Sequence, residues 1–279
     1  MLTLDKIFHA QLVLKGVIRE TLLTRAYGIA PECNLYLKPE NLQITGSFKV
    51  RGAGYKIATL SEEEKERGVI ACSAGNHAQG VALAASKYGI RSLICLPDSA
   101  PISKVEATKN YGAEVRLVPG CYDDAYNEAL RLRDECGYTF VHPFDDENVI
   151  AGQGTIGLEI LNALDNIDAI IVPVGGGGLI CGIACAVKSI RPSIKVYGVQ
   201  AAGAPSMCRS VAQGQITCLD SVSTIADGIA VKQPGENTFR YVNEYVDDLA
   251  VVTDDEIASA ILALIEKQKM IAEGAGAAA

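Results

Sequence analysis

Short apolar runs alternate with longer stretches in which apolar residues return every three or four positions, so the chain reads as strands followed by helices. The predicted strands are Leu35–Lys38, Val69–Cys72, Ser92–Leu96, Glu114–Val118, Thr139–Val141, Ala169–Val174, Lys195–Val199 and Leu249–Val252. The helices between them are punctuated. Ser61 with Glu64 makes a capping box, Glu62, Glu63 and Glu64 form a solvated first turn, and Gly68 closes that helix. Thr253 with Glu256 opens another, on which Ile257, Ala260, Ile261, Leu264 and Ile265 share one face. Gly89, Gly112 and Gly137 fall where a helix must stop before a strand. The pattern predicts an α/β protein with parallel sheets and helices on both faces. Four of the strands lie between Asn41 and Val141, which predicts a small α/β domain over residues 41–141. That domain is inserted in a larger one made of residues 1–40 and 142–279.

Composition narrows the class. With 279 residues, 49% of them hydrophobic, and a mean hydropathy of +0.18, the chain can bury a sizeable core. A net charge of −8 argues against nucleic-acid or anionic-membrane surfaces, which need clustered Lys and Arg. The uncharged stretch from Ile170 to Val187 is long enough to span a bilayer, but Pro173 and the glycines within it would break such a helix. Asp5, Lys6 and His9 interrupt the first apolar stretch, which is not the pattern of a secretory signal, so a cytosolic protein is expected. Nine cysteines occur without a C-x-x-C pair, and no disulfides are expected. Cys33, Cys72, Cys95, Cys181 and Cys185, set among apolar neighbours, read as small core residues. Three histidines (His9, His77, His142) leave little room for a zinc site or a Ser-His-Asp triad.

Candidate chemistry starts at four consecutive glycines, Gly175–Gly178, between the apolar strand Ala169–Val174 and the helical run that begins at Leu179. A strand entering a helix through bare glycine lets several backbone N–H groups converge on an anion, and a phosphate fits that cup. Lys49 follows Ser47, the predicted N-cap, so it stands in a first helical turn, where the dipole disfavours its charge and favours the neutral, nucleophilic amine. Asn76, in Ser73-Ala74-Gly75-Asn76-His77, opens a second helix directly after the strand Val69–Cys72, giving a cup sized for a carboxylate. An amine, a phosphate cup and a carboxylate cup together suit a cofactor with one aldehyde and one phosphate acting on an amino acid. Pyridoxal 5′-phosphate meets that description.

The motifs that carry this set occur in order along nearly the whole chain. They are Lys38-Pro39-Glu40-Asn41-Leu42-Gln43 with Gly46-Ser47-Phe48-Lys49-Val50-Arg51-Gly52-Ala53; Ser73-Ala74-Gly75-Asn76-His77-Ala78-Gln79-Gly80; His142-Pro143-Phe144-Asp145-Asp146; Ala151-Gly152-Gln153-Gly154-Thr155; Gly175–Gly178; and Thr224-Ile225-Ala226-Asp227-Gly228. In this order the chain resembles the pyridoxal-phosphate enzymes of fold type II, the tryptophan-synthase-β-like family, and within it the threonine ammonia-lyases (threonine dehydratases). The resemblance implies that Lys49 condenses with the cofactor aldehyde, that Gly175, Gly176, Gly177, Gly178 and Leu179 hold its phosphate, and that Asn76 bonds its 3′-oxygen. It implies that Ser73, Ala74, Gly75, Asn76 and His77 receive the substrate carboxylate, that Phe48 packs against the cofactor ring, and that Gly228 lets backbone approach the ring face. Glu273, in Ala272-Glu273-Gly274, is implied to face the cofactor as well. The implied reaction is elimination of water from L-threonine to give 2-oxobutanoate and ammonia, with L-serine giving pyruvate, in a dimer or tetramer.

Serine racemases share most of these motifs but carry a serine where Ala74 stands, and a methyl group cannot move a proton. Their divalent-cation site draws on acidic residues near Pro205, whereas Ala204 and Ser210 here lack carboxylates, so no metal is expected. A β-replacement enzyme of the same fold remains a further alternative, as does a non-catalytic nucleotide module, although no acidic residue sits at ribose-binding distance after a G-x-G-x-x-G turn. The family's pyridine-nitrogen partner, a Ser, Thr or Cys on a turn beyond the helix at Gly274-Ala275-Gly276, has no counterpart before Ala279. That implies a fragment or a shortened member without an ACT-type regulatory domain, less stable and less active than a full-length relative.

Overall fold

The computed structural model describes residues 1–279. Helix α1 (Leu4–Val13), capped by the Thr3 side chain, is followed by a short antiparallel ribbon of β1 (Thr24–Arg25) and β2 (Tyr36–Leu37). The predicted strand at 35–38 is thus reduced to its two central residues. Pro39 has no N–H to extend the ladder, and β1 is too short to carry a period. Helices α2 (Lys49–Ala58) and α3 (Glu62–Arg67) lead into β3 (Val69–Cys72), α4 (Asn76–Lys87), β4 (Ser92–Pro97), α5 (Ile102–Asn110), β5 (Glu114–Val118), α6 (Tyr122–Cys136) and β6 (Thr139–Phe140). These four strands form one parallel sheet in the order β5-β4-β3-β6, with Cys72 opposite Cys95 and Ile70 opposite Phe140. Every residue of β3 and β4 is buried, as expected for central strands covered on both faces.

Helix α7 (Glu147–Ala163) crosses to a second parallel sheet, β7-β8-β9, of β7 (Ala169–Pro173), β8 (Lys195–Ala201) and β9 (Asp248–Val252). Between and after these strands come α8 (Gly178–Ile190), α9 (Ser206–Gln213), α10 (Glu236–Tyr245), α11 (Asp254–Ala263) and α12 (Gly274–Ala277). The largest apolar cluster joins α1, α7, α8 and α10 to β7 and β8. A second fills the space between β3, β4, α2 and α4. Close helix approach needs bare backbone at Gly182, where an added Cβ would lie 2.3 Å from the Ile150 carbonyl oxygen.

Both predicted capping boxes form, and Gly68, Gly89, Gly112 and Gly137 all take positive φ at the helix ends. Two predictions need correcting. Ile265 leaves the face it was assigned to and is 40% exposed, because the chain winds into a π-turn over Leu264–Gln268 whose extra residue per turn rotates it outward. Cys33 lies exposed in a turn, whereas Cys72, Cys95, Cys181 and Cys185 are buried as predicted. No helix is long and apolar enough to cross a membrane.

Candidate active site

Lys49 is the first residue of α2, but its cap differs from the predicted one. Phe48 occupies the N-cap position with helical φ and ψ and makes no side-chain cap, while the Ser47 hydroxyl is buried without a partner. The Lys49 ammonium donates to the Pro143 carbonyl at 2.9 Å and stands 5.5 Å from the Phe48 ring centroid. Phe48 is half-buried and its other side packs on the largest core cluster. Loss of hydration lowers the Lys49 pKa to about 8, with the Glu273 carboxylate working in the opposite direction. A substantial neutral fraction therefore exists at physiological pH. The main cause is loss of hydration.

Beneath Lys49, α2 is anchored by charge. Arg51 is fully buried and its guanidinium meets Glu40 through two bonds of 2.8 Å and Glu159 through bonds of 2.6 and 2.9 Å, with the Thr155 hydroxyl at 3.1 Å. Lys38 completes the group at 2.5 Å from Glu159. Two positive and two negative side chains thus balance where α2, α7 and the 38–40 segment meet. Burial alone would lower the Arg51 pKa, but the bonds and charges of Glu40 and Glu159 outweigh it and raise it.

The glycine run presents a row of unpaired backbone N–H groups at the start of α8. Gly177 takes φ +97°, and no backbone N–H from Gly175 through Ile180 donates to a protein acceptor. The first of the helix to do so is Cys181, to the Gly177 carbonyl at 3.0 Å. Such a row of free donors at a helix N-terminus in a mostly buried turn is costly unless an anion takes them up. A Cβ on Gly176 would lie 2.4 Å from Cγ of Phe144, and one on Gly177 would lie 2.8 Å from Cε of Met207 and 2.9 Å from Cβ of Thr238. Those three side chains form the walls of the cup, and Leu179 follows on the first turn of α8.

The second cup lies at the N-terminus of α4. Ser73 Oγ accepts the Gly75 N–H at 3.1 Å and shapes the turn, and Ala74 packs its methyl group on the second core cluster. The N–H groups of Asn76, His77 and Ala78 have no protein acceptor. His77 Nε2 lies 2.8 Å from the Val141 carbonyl and so carries its proton, leaving a buried, unpartnered Nδ1. Burial, helped by the Lys49 charge, lowers the His77 pKa to about 3, so the ring is neutral. Asn76 Nδ2 donates to Glu273 Oε1 at 2.7 Å, and that oxygen would lie 3.2 Å from a Cβ on Gly228. The Glu273 pKa is raised by burial and by neighbouring Asp227. Lys49, Asn76, His77, Gly228 and Glu273 thus surround one space. The strap from His142 to Asp145 joins it to the glycine cup. The strap's contacts leave no sign in the sequence, because a backbone carbonyl such as that of Pro143 carries no residue signature.

A half-buried amine of lowered pKa between two runs of free backbone donors suits a group that carries an aldehyde and an anion. Pyridoxal phosphate fits these residues on the strength of the unpaired N–H row and the glycine cradle that a Cβ would fill. The comparisons agree. A family model described as "Pyridoxal-phosphate dependent enzyme" matches residues 14–279. The L-threonine ammonia-lyase of Thermotoga maritima is 53% identical over 99% of this chain and 70% of its own length. The processed form of threonine deaminase isoform 2 from Solanum lycopersicum superposes with a TM-score of 0.94 at 40% identity, covering 99% of this chain and 78% of that one. Maize serine racemase superposes with a TM-score of 0.96 at 38% identity, covering 99% and 84%. The chain belongs to the pyridoxal-phosphate-dependent enzyme family of fold type II.

Proposed function

We propose that this protein is a pyridoxal-phosphate-dependent lyase that converts L-threonine to 2-oxobutanoate and ammonia. The observation that carries the reading is the half-buried Lys49 amine, held at 2.9 Å by the Pro143 carbonyl between two runs of unpaired N–H groups. Pyridoxal phosphate, when bound there, supplies an aldehyde for amines and a ring that takes up electron density from the substrate α-carbon. The N–H groups of Gly175 through Ile180, with Leu179 among them, would hold its phosphate, and Phe48 and Gly228 would border its ring. Asn76, oriented by Glu273, would bond its 3′-oxygen. The N–H groups of Asn76, His77 and Ala78, on the turn made by Ser73, Ala74 and Gly75, hold the substrate carboxylate. Lys49 in its neutral form takes the α-proton.

Serine racemisation is the second reading, favoured by the likeness to the maize enzyme. It requires a second proton carrier, and Ala74 offers only a methyl group. Elimination is therefore preferred, with serine as a lesser substrate. Two or four copies in the cytosol complete the proposal, and nine free cysteines suit a reducing compartment. We also assign residues 41–141 to a small domain and 1–40 with 142–279 to a large one, supported by the separate apolar clusters around the two sheets. The test is product formation by the purified holoenzyme. 2-Oxobutanoate from threonine, lost in Lys49→Ala, is expected; D-serine from L-serine without 2-oxo acid would replace this reading with the second.

A further inference from the structure

His142 has a role that the reaction scheme above does not use. Its Nδ1 accepts the N–H of Asp145 at 2.7 Å and that of Phe144 at 3.3 Å. A ring nitrogen that takes donors from the residues two and three places on acts as an Asn or Asp side chain does in an Asx turn. That nitrogen must be unprotonated, so the proton of the neutral ring resides on Nε2. The ring is held edge-on to Phe144 at 4.7 Å and to Phe140 at 6.1 Å between centroids.

The turn has three products. The Pro143 carbonyl points at the Lys49 ammonium at 2.9 Å. Phe144 presses on Gly176 and Gly178, where added Cβ atoms would lie 2.4 Å and 2.9–3.0 Å from it. The Asp145 carboxylate caps α10, accepting from Glu236 N at 3.1 Å and Thr238 N at 3.0 Å, and Thr238 is a wall of the phosphate cup at Gly177. One lone pair therefore sets the resting place of the amine and two walls of the glycine cup.

We propose that His142 is a positioning residue whose Nδ1 acceptor holds the 142–145 turn, and through it the Lys49 amine and the phosphate cup, in register for the cofactor. This rests on the reading of Lys49 and the cups given above. An acceptor, rather than an imidazole, is what the position requires.

The test compares His142→Leu, which keeps bulk without an acceptor, with His142→Asn, whose Oδ1 can accept the same two N–H groups. The readouts are the Kd for pyridoxal phosphate by absorbance titration, kcat/KM for threonine, and the melting temperature. Losing the acceptor leaves two N–H groups unsatisfied, so His142→Leu is expected to weaken cofactor binding by about tenfold or more. His142→Asn should restore the Kd to within about threefold of the parent. Unchanged cofactor affinity in a folded His142→Leu, or a folded His142→Asn as weak as His142→Leu, would overturn the proposal. If His142→Leu does not fold, His142→Asn and the 15N NMR shifts of the parent still decide. The proposal requires an unprotonated Nδ1 on the signal that His142→Asn removes, and a protonated Nδ1 there contradicts it. The shift needs no cofactor, so this arm can fail while the Lys49 reading stands. Conversely, Lys49→Ala that still binds the cofactor covalently would sink the Lys49 reading and leave the turn intact.

Discussion

Arg51→Met tests whether the buried charge group beneath Lys49 holds α2 in place. Arg51 has no exposed side-chain surface and supplies bonds of 2.6–2.9 Å to both Glu40 and Glu159, whose side chains are only 12% and 9% exposed. Methionine fills much of the volume but strands Glu40, which keeps only the Thr21 hydroxyl, while Glu159 keeps Lys38. Breaking a buried pair by removing one partner costs roughly 3–5 kcal/mol. In a chain of this size that corresponds to a fall of roughly 6–20 °C in Tm, at roughly 2–4 °C per kcal/mol. Removing the stranded charge as well, in Arg51→Met with Glu40→Gln, leaves the Lys38–Glu159 pair balanced and gives Thr21 an amide oxygen to donate to. That double variant should recover at least half of the lost stability. Thermal and urea melts of parent, single and double variants provide the assay. A single variant within about 1 kcal/mol of the parent, or a double variant that melts no higher than the single, would refute the reasoning.

Two further outcomes follow from the site. Gly176→Ala drives a Cβ to 2.4 Å from the Phe144 ring, and overpacking of roughly 1–3 kcal/mol should appear as cofactor affinity reduced roughly tenfold or more, read by absorbance titration. Because burial sets the Lys49 pKa at about 8, the neutral amine fraction rises as pH climbs through that value. Covalent uptake of pyridoxal phosphate by cofactor-stripped protein should therefore quicken up to about pH 8 and then level off, as followed by stopped-flow absorbance. A rate still climbing steadily towards pH 10 contradicts the burial argument.

Much of this molecule was legible because its signals are local. The strand runs at 69–72, 92–96 and 114–118 survive almost unchanged, and the boxes at Ser61 and Thr253 form as their spacing requires. The glycine run and the Asn76 turn announced their cups because a helix N-terminus after a strand has few other ways to present free donors. What escaped depends on distant parts of the chain. Arg51 reads as an ordinary helix residue until Glu159, far along in sequence, folds against it. The cap that local sequence places at Ser47 does not form, because Phe48 already turns into the helix. Ile265 departs from its face because a three-four spacing of apolar residues says nothing about a π-turn. Pro143 acts through its carbonyl and His142 through one lone pair, and neither leaves a trace in residue type.

The central claim is that the Lys49 amine bonds the cofactor aldehyde, and the direct measurement is borohydride reduction of the holoenzyme followed by peptide mass spectrometry. The account predicts a pyridoxyl-phosphate adduct on the peptide containing Lys49, together with loss of visible absorbance in Lys49→Ala. An adduct on any other lysine, or a coloured Lys49→Ala protein with the cofactor fixed elsewhere, would contradict it.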